Sequence, residues 1–407
     1  MALKLFLLSI SSYFFISTLA NAFKSAQLNA QNFIHPGVLV SIDDITSAKS
    51  RLASSEEPTT SFFNQAIKNF DITYIPHGPP LNGTISCGYY DSPNIGCSEE
   101  DSDIDTAYVQ TLIFALNGNV SFATSARTII NLYSSGLKRY TNNTQGTCCG
   151  NEALQAAWVS AKITRAAELL RHLPNSGWTN EDTISFNNLM YTVHLPHLIG
   201  GTDANGNWMA SFLEGMFGIA VFSENATLYN HALKAWTDRM PSYFYITSDG
   251  VLPPKNPQSG CSPNPLCEYY NQTIFDSRTN GVCQETCRDM GHMQMGLGAF
   301  VNGAKTATIQ GNDLFVLQSS RFFAASEFAA RLLLNSTPPS ANLMCSGAPV
   351  KLATMPTFEI LHGQFVRLGM NDILTTQWIK NSVRTLANPV GSQVSIFETL
   401  SHGLPIV

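Results

Sequence analysis

Between Cys283 and His292 the chain reads Cys-Gln-Glu-Thr-Cys-Arg-Asp-Met-Gly-His. That short string gathers Glu285, Arg288, Asp289 and His292 in a sequence of which only 13% is charged. Arg288 is a permanent cation with a fork of donors suited to carboxylates. His292, with an ordinary pKa of about 6.5, takes and returns protons near neutrality. If the segment is helical, Arg288 and His292 are i,i+4 neighbours and Glu285 lies one turn before Arg288 on the same side. Anion binding next to proton transfer is the chemistry this spacing permits. The same spacing also suits a structural salt-bridge cluster with a hydrogen-bonded core histidine, and both readings stay open. Cys283, Cys287 and His292 include the residue types of a zinc site, yet a fourth ligand is missing and thiols in an oxidising compartment pair with one another. His194 and His197 lack a third partner. No metal and no cofactor are expected.

Two further stretches carry candidate groups. Asn205-Gly-Asn-Trp208 stands directly before an apolar helical run, so Asn207 is either an N-cap or an amide aimed at a ligand carboxylate. In Phe358-Glu-Ile-Leu-His-Gly-Gln-Phe365, His362 either faces a cleft or ends a helix.

These groups need a frame, and the dominant period is helical. In 151–173, Leu154, Trp158, Ala161, Ala166, Leu169 and Leu173 follow one face. Thr179-Asn-Glu-Asp182 is a capping-box pattern opening a helix expected to end before Pro196. Similar segments lie near 42–54, 58–69, 104–117, 120–136, 208–222, 226–240, 290–310, 313–334 and 372–387. Strand signals are confined to 243–246 and 394–397. Helices of this length on short connections make antiparallel hairpins, arranged as a bundle or an α/α toroid. Two long irregular stretches, 71–103 and 247–284, interrupt them; loops of that length are usually functional or tied down, and cysteines supply the ties.

The N-terminus is read as a leader. Lys4, an apolar run from Leu5 to Leu19 and Ala20-Asn21-Ala22 form a signal-peptide pattern over 1–22, leaving 23–407 as one domain. Nine cysteines follow it, the arithmetic of a secreted, extracellular chain with at most four bridges. Short loops suggest Cys87 with Cys97 and Cys261 with Cys267. Sequons at Asn82, Asn119, Asn142, Asn225, Asn271 and Asn335 suit an exported glycoprotein. The formal net charge of −6 argues against a nucleic-acid or membrane-surface partner, while an anionic substrate needs only a few local cations. Oligomeric state is not encoded in any of this.

Taken together, Gly206-Asn207-Trp208, the run from Gln284 to His292, Gly311-Asn-Asp-Leu314, His35-Pro-Gly-Val-Leu39 and Pro356-Thr-Phe-Glu-Ile360 resemble the alginate lyase superfamily, most of all the polysaccharide lyases of family 38 acting on alginate and glucuronan. The likeness spans about residues 35–400. It implies an incomplete α/α toroid and metal-independent β-elimination on an anionic uronic-acid polysaccharide. It also implies Asn207 and Arg288 as neutralisers of the sugar carboxylate, His292 as base and a tyrosine as acid. Bacterial relatives carry an Asn-His-Tyr-like run after the Pro-x-x-Glu-Ile segment. Here Leu361 to Phe365 has no tyrosine, so His362, or Tyr269, Tyr270, Tyr89 or Tyr90 from the loops, would have to supply the acid.

Two other classes remain. A glycoside hydrolase on an α/α barrel would pair Glu285 with Asp91, Asp101 or Asp103, because hydrolysis needs two carboxylates roughly 5–9 Å apart. An inactive carbohydrate-binding homologue would keep the toroid without the acid, with a possible Cys283–Cys287 disulfide beside the site.

Overall fold

A computed structural model describes residues 33–88, 92–141, 150–200, 204–256, 265–335, 341–385 and 397–406. The expected leader, Tyr89, Tyr90, Asp91, Asn142 and Cys261 lie outside the described residues.

Helices α1 (Ile42–Ala53) and α2 (Thr59–Asn69) lead into α3 (Cys97–Asn117), which turns back through α4 (Val120–Gly136). The pattern repeats with α5 (Glu152–His172), which returns through α6 (Asn180–Leu189) and α7 (Leu195–Ile199). Next come α8 (Gly206–Phe222) with α9 (Ala226–Tyr243), then α10 (Met290–Ile309) with α11 (Leu314–Leu317) and α12 (Ser319–Leu333). The chain ends in α13 (Glu359–Arg367), α14 (Ile373–Asn381) and α15 (Glu398–His402). This is the α/α toroid of helical hairpins that the periodicity pointed to. No described helix is long and apolar enough to cross a membrane.

Helices α3, α5, α8 and α10 form the inner wall. Their centres are buried all round, without a break over 103–116, 159–170, 209–222 and 293–307, as expected for helices enclosed on every side. Outer helices keep one stripe, such as Phe122, Ala126, Ile129, Ile130 and Tyr133 of α4. The single face read for α5 is therefore only part of what it buries. Its other side carries a polar stripe at Gln155, Lys162, Arg165, Glu168 and His172.

That stripe fixes the direction of the inner helices. Gln155 donates to Glu100 (3.0 Å), and Lys162 to Asp101 (3.1 Å) and Asp105 (2.6 Å), all on α3. Towards α8, Trp158 donates to Ser211 (3.2 Å), Arg165 pairs with Glu214, and Arg171 reaches the Phe222 carbonyl. On α10, Asn302 donates to Glu214 (3.0 Å). Contacts advance in the same direction along both members of the α3–α5 and α5–α8 pairs, and Glu214–Asn302 and Phe217–Gly303 do so for α8 and α10, so the four helices run parallel. Their positively polarised N-termini share one end of the toroid. The ring is completed by α15, which packs on α1, α2 and α13.

Three details depart from the sequence reading. The helix expected to stop before Pro196 continues through a π-helical turn at Met190–His194 into α7, where Pro196 sits in the first turn and its missing N–H costs nothing. A small sheet, ordered β2-β1-β3, joins β1 (Thr84–Cys87) and β2 (Asn94–Ile95) of the first irregular stretch to β3 (Arg139–Thr141), which follows α4; it is antiparallel at β1–β2 and parallel at β1–β3. The strand signal at 243–246 yields only an isolated bridge, Phe244 to Cys283.

Cys87–Cys97 forms as expected, and Cys267 is disulfide-bonded. Cys287 pairs with Cys345, not with Cys283, which is a buried free thiol.

Candidate active site

At the shared N-terminal end, residues 283–289 form a tight turn, with the N–H groups of Arg288 (2.9 Å) and Asp289 (3.1 Å) both donating to the Glu285 carbonyl. Helix α10 begins only afterwards, at Met290. Arg288 and His292 are therefore not successive turns of one helix: Asp289, in extended conformation, caps α10 between them. Its carboxylate accepts from the His292 backbone N–H (2.8 Å) and pairs with His292 Nδ1 (2.7 Å). A carboxylate on Nδ1 fixes the imidazole with Nε2 directed outward, the arrangement used to orient general bases.

Asn207 is the second residue of α8, and Asn205 holds the N-cap position, so the capping alternative for Asn207 does not apply. Its backbone N–H (3.1 Å) and Nδ2 (2.8 Å) both donate to Glu285 Oε1. The carboxylate thus sits on the positive end of a helix, where negative charge is favoured. Gly206 allows this approach: it has φ +64°, and a Cβ there would stand 2.2 Å from Glu285 Oε1. Glu285 Oε2 has no hydrogen bond and lies 3.6 Å from Arg288 Nη1.

Tyr270 closes the group. Its ring lies under the Arg288 guanidinium, 5.9 Å from centroid to Cζ. Burial, followed by the Glu285 charge, raises the phenol pKa, while Arg288 opposes the rise. The backbone at Tyr270 and Asn271 is left-handed, φ +46° and +69°; asparagine adopts this region readily, whereas a bulky tyrosine holds it only under constraint. Buried Gln272 supplies that constraint, donating to the carbonyls of Ile274 (2.7 Å) and Leu343 (3.0 Å) and accepting from the Cys345 N–H (2.8 Å). The Cys287–Cys345 bridge ties the same segment to the turn that bears Arg288.

Accessibility divides these residues. Asn207 is fully buried and Glu285 is 3% exposed. The side chains of Arg288 and His292 are each 21% exposed, and Tyr270 is 45% exposed. A buried Asn207–Glu285 pair therefore underlies an accessible cation, phenol and imidazole. Asn207 lies beneath this surface, not on it.

The remaining candidates are committed elsewhere. Tyr269 is buried and its hydroxyl donates to the Ser242 carbonyl (2.9 Å). His362 is buried on α13 with Nδ1 on Asp372 (2.9 Å). Asp103 accepts from Tyr74, Tyr133, Gly78 and His77, and Asp101 pairs with Lys162, so neither is free to partner Glu285 in hydrolysis. A cavity of about 430 Å³ lies away from these groups, between Ile72–Pro76 and the outer face of α4.

The chain superposes on alginate lyase A1-III from Sphingomonas species A1 with a TM-score of 0.57 at 14% identity, covering 85% of this chain and 92% of that one. A variant of A1-III complexed with a tetrasaccharide gives 0.58 at 15% identity, over 86% and 92%. An alginate lyase from Bacteroides ovatus gives 0.50 at 12%, over 74% and 84%. The chain has the alginate-lyase fold. No family model and no curated protein matches its sequence. The alginate-lyase fold accords with the resemblance noted in the Asn207 and Gln284–His292 segments, and its helical hairpins are those that bring these segments together.

Two contributors escaped the sequence reading. Asp289 was visible in the string, but its role as both cap and imidazole partner depends on where α10 starts. Gln272 carried no signal, because a buried glutamine that braces three backbone groups looks like any loop residue.

Proposed function

We propose that the protein is a secreted polysaccharide lyase that cleaves mannuronate- or glucuronate-containing chains by β-elimination. The observation that carries this reading is the accessible Arg288–Tyr270 pair, braced from below by Glu285 and Asn207 and followed by an Asp289-oriented His292. In a uronate the proton on C5 is hardly acidic while the neighbouring carboxylate is fully charged. Arg288 neutralises that carboxylate and stabilises the enolate-like dianion formed as the proton leaves, the largest electrostatic task of the reaction. His292 Nε2 accepts the C5 proton. The C4–O4 bond then breaks, a C4=C5 double bond forms, and the departing O4 takes the Tyr270 proton. A phenol kept protonated by partial burial suits the last step. Because Arg288 supplies the positive charge, the chemistry calls for no metal.

Asn207 acts through Glu285, as a positioning residue. The tetrasaccharide bound by alginate lyase A1-III supports an oligosaccharide ligand here too. A glycoside hydrolase is disfavoured by the commitments of Asp101 and Asp103.

The test is to incubate the purified protein with alginate, polymannuronate and glucuronan and follow ultraviolet absorbance. The unsaturated 4,5 bond should appear with at least one polymer and vanish in Arg288→Ala. Polymers left intact would reject the proposal, as would reducing ends released without absorbance.

A further inference from the structure

At the opposite end of the inner helices, ~25 Å along α8 from Asn207, a second cluster belongs to none of this chemistry. His35 comes from the segment before α1. Glu168 and His172 come from the end of α5. One ligand-capable atom of each lies within 4.8 Å of the other two. Glu168 is completely buried. Its Oε1 is taken by His35 Nδ1 (2.6 Å) and the Gly37 N–H (3.0 Å). The other oxygen, Oε2, is buried with no hydrogen bond, and so are His35 Nε2 and His172 Nε2. Glu168 Oε2 stands 3.7 Å from His172 Nε2, and Glu224 Oε1 stands 3.9 Å from His35 Nε2. Three buried ligand-capable atoms without hydrogen-bond partners, on residues this close together, leave room for a cation or a water.

We infer that His35, Glu168 and His172 form a divalent transition-metal site, with zinc the fitting ion and Glu224 or water completing the coordination. Two imidazoles and a carboxylate are nitrogen and oxygen ligands of the borderline class that zinc accepts. His35 is already oriented as a ligand would be: a carboxylate on its Nδ1 favours the tautomer that leaves Nε2 free to bind a metal. The cluster also sits at the C-terminal ends of α5 and α8, where the helix dipoles favour a cation. Arg171, the cation facing the cluster, is held on Glu224 (3.1 Å) and the Phe222 carbonyl. Zinc bonds of about 2.1 Å would draw the ligand atoms to roughly 3.4 Å apart. The His35 and His172 rings now lie stacked, with centroids 4.1 Å apart and planes 9° from parallel. One ring must therefore turn to meet the ion. His172, 22% exposed and without a hydrogen bond on Nε2, is the one that turns.

Bound there, the metal would clamp the segment entering the fold. Residues 34–39 bridge α5 and α10, through Gly37 on Glu168, Ile34 on Gln310 (2.9 Å) and Leu39 on Thr306 (3.1 Å). The ion would close the ring at the end away from the candidate active site.

The full mature chain, stripped with a chelator and dialysed, should take up one equivalent of Zn2+ and show a Tm higher by roughly 4 °C at saturating metal. Co2+ should give visible absorption from nitrogen ligation. His172→Ala, at a partly exposed position, should fold and weaken zinc binding by at least about tenfold. Glu168→Gln serves as a second variant with the same shape and should behave alike. A wild-type chain that takes up no zinc overturns the inference, leaving a water between these atoms. So does zinc uptake by both variants as tight as that of wild type.

Discussion

Glu285 Oε1 accepts both the backbone N–H and the side-chain amide of Asn207, at 3.1 and 2.8 Å. One oxygen of a buried carboxylate is thereby fixed on the mouth of α8, and the other is left 3.6 Å from Arg288. Helix α8 thus sets the position of a guanidinium that precedes α10, across a sequence gap that no local pattern spans.

The first prediction concerns that contact. In Gly206→Ala the new methyl would occupy the space of Glu285 Oε1 at a left-handed backbone position, so Glu285 must move. Turnover should fall at least about tenfold and stability by roughly 1–3 kcal/mol. Asn207→Ala removes one of two donors and should cost about 1–3 kcal/mol. Thermal unfolding alongside kcat checks both. Unchanged turnover in Gly206→Ala would uncouple Glu285 from the chemistry.

Asp289→Asn separates two roles of one residue. Asparagine caps helices as well as aspartate does, so α10 should keep its start and Tm should move little. An amide cannot hold His292 Nδ1 as a carboxylate does, so kcat should drop about 100-fold or more. His292→Gln should lose about 100- to 10,000-fold. A kcat in Asp289→Asn equal to wild type would place the imidazole outside the reaction.

The two adjacent tyrosines should behave oppositely. Tyr270→Phe removes a half-exposed hydroxyl and should lower kcat about 100-fold on polymer with little change in Tm. Tyr269→Phe removes a buried hydroxyl bonded to the Ser242 carbonyl and should cost about 1 kcal/mol of stability with turnover retained. A reversal of these outcomes, read in steady-state rates and melting curves, would assign the acid to Tyr269.

Burial pushes the Glu100 carboxyl up to about 8, against the hydrogen bonds from Gln155 and Tyr140 that favour its ionised form. The folded-state pKa is raised, so this group's contribution is fully present below the usual value of 4.5 and is lost as pH rises towards 8. In that window the unfolded chain releases a proton that the folded chain retains. Glu100→Gln has no such proton. The stability of wild type relative to Glu100→Gln should therefore decline between pH 4.5 and 8, by an amount on the order of a few kcal/mol. Denaturant titrations at several pH values measure it. A constant difference would mean that Glu100 ionises normally.

The toroid was legible because its evidence is local. Helices such as α4 and α9 carry a 3.6-residue period, and Thr179 with Asp182 forms the capping box that the sequence spells out. The resemblance carried by the Gln284–His292 segment pointed to the same fold. What escaped depends on contacts distant in sequence. Cys287 has a nearer partner in Cys283, yet the fold brings Cys345 to it. The period of Arg288 and His292 suggested one helix, whereas Asp289 interrupts it as a cap. His35 and Glu168 are separated by 133 positions, so no ligand spacing could announce their cluster. Asn207 was placed among the substrate-facing groups because burial cannot be read from an Asn-Trp pair preceding an apolar helix.

Mass spectrometry of the products formed in heavy-oxygen water tests elimination by the Arg288–Tyr270–His292 group most directly. Elimination breaks C4–O4 without adding water across it. Every newly formed end should therefore lack the heavy label at the moment of cleavage, and the fragment that carries the new, unsaturated non-reducing end should be lighter by one water than its hydrolysis counterpart. Substituting Arg288 or His292 should suppress these fragments. Label incorporated at the cleaved bond, or unsaturated fragments undiminished in both variants, would contradict it.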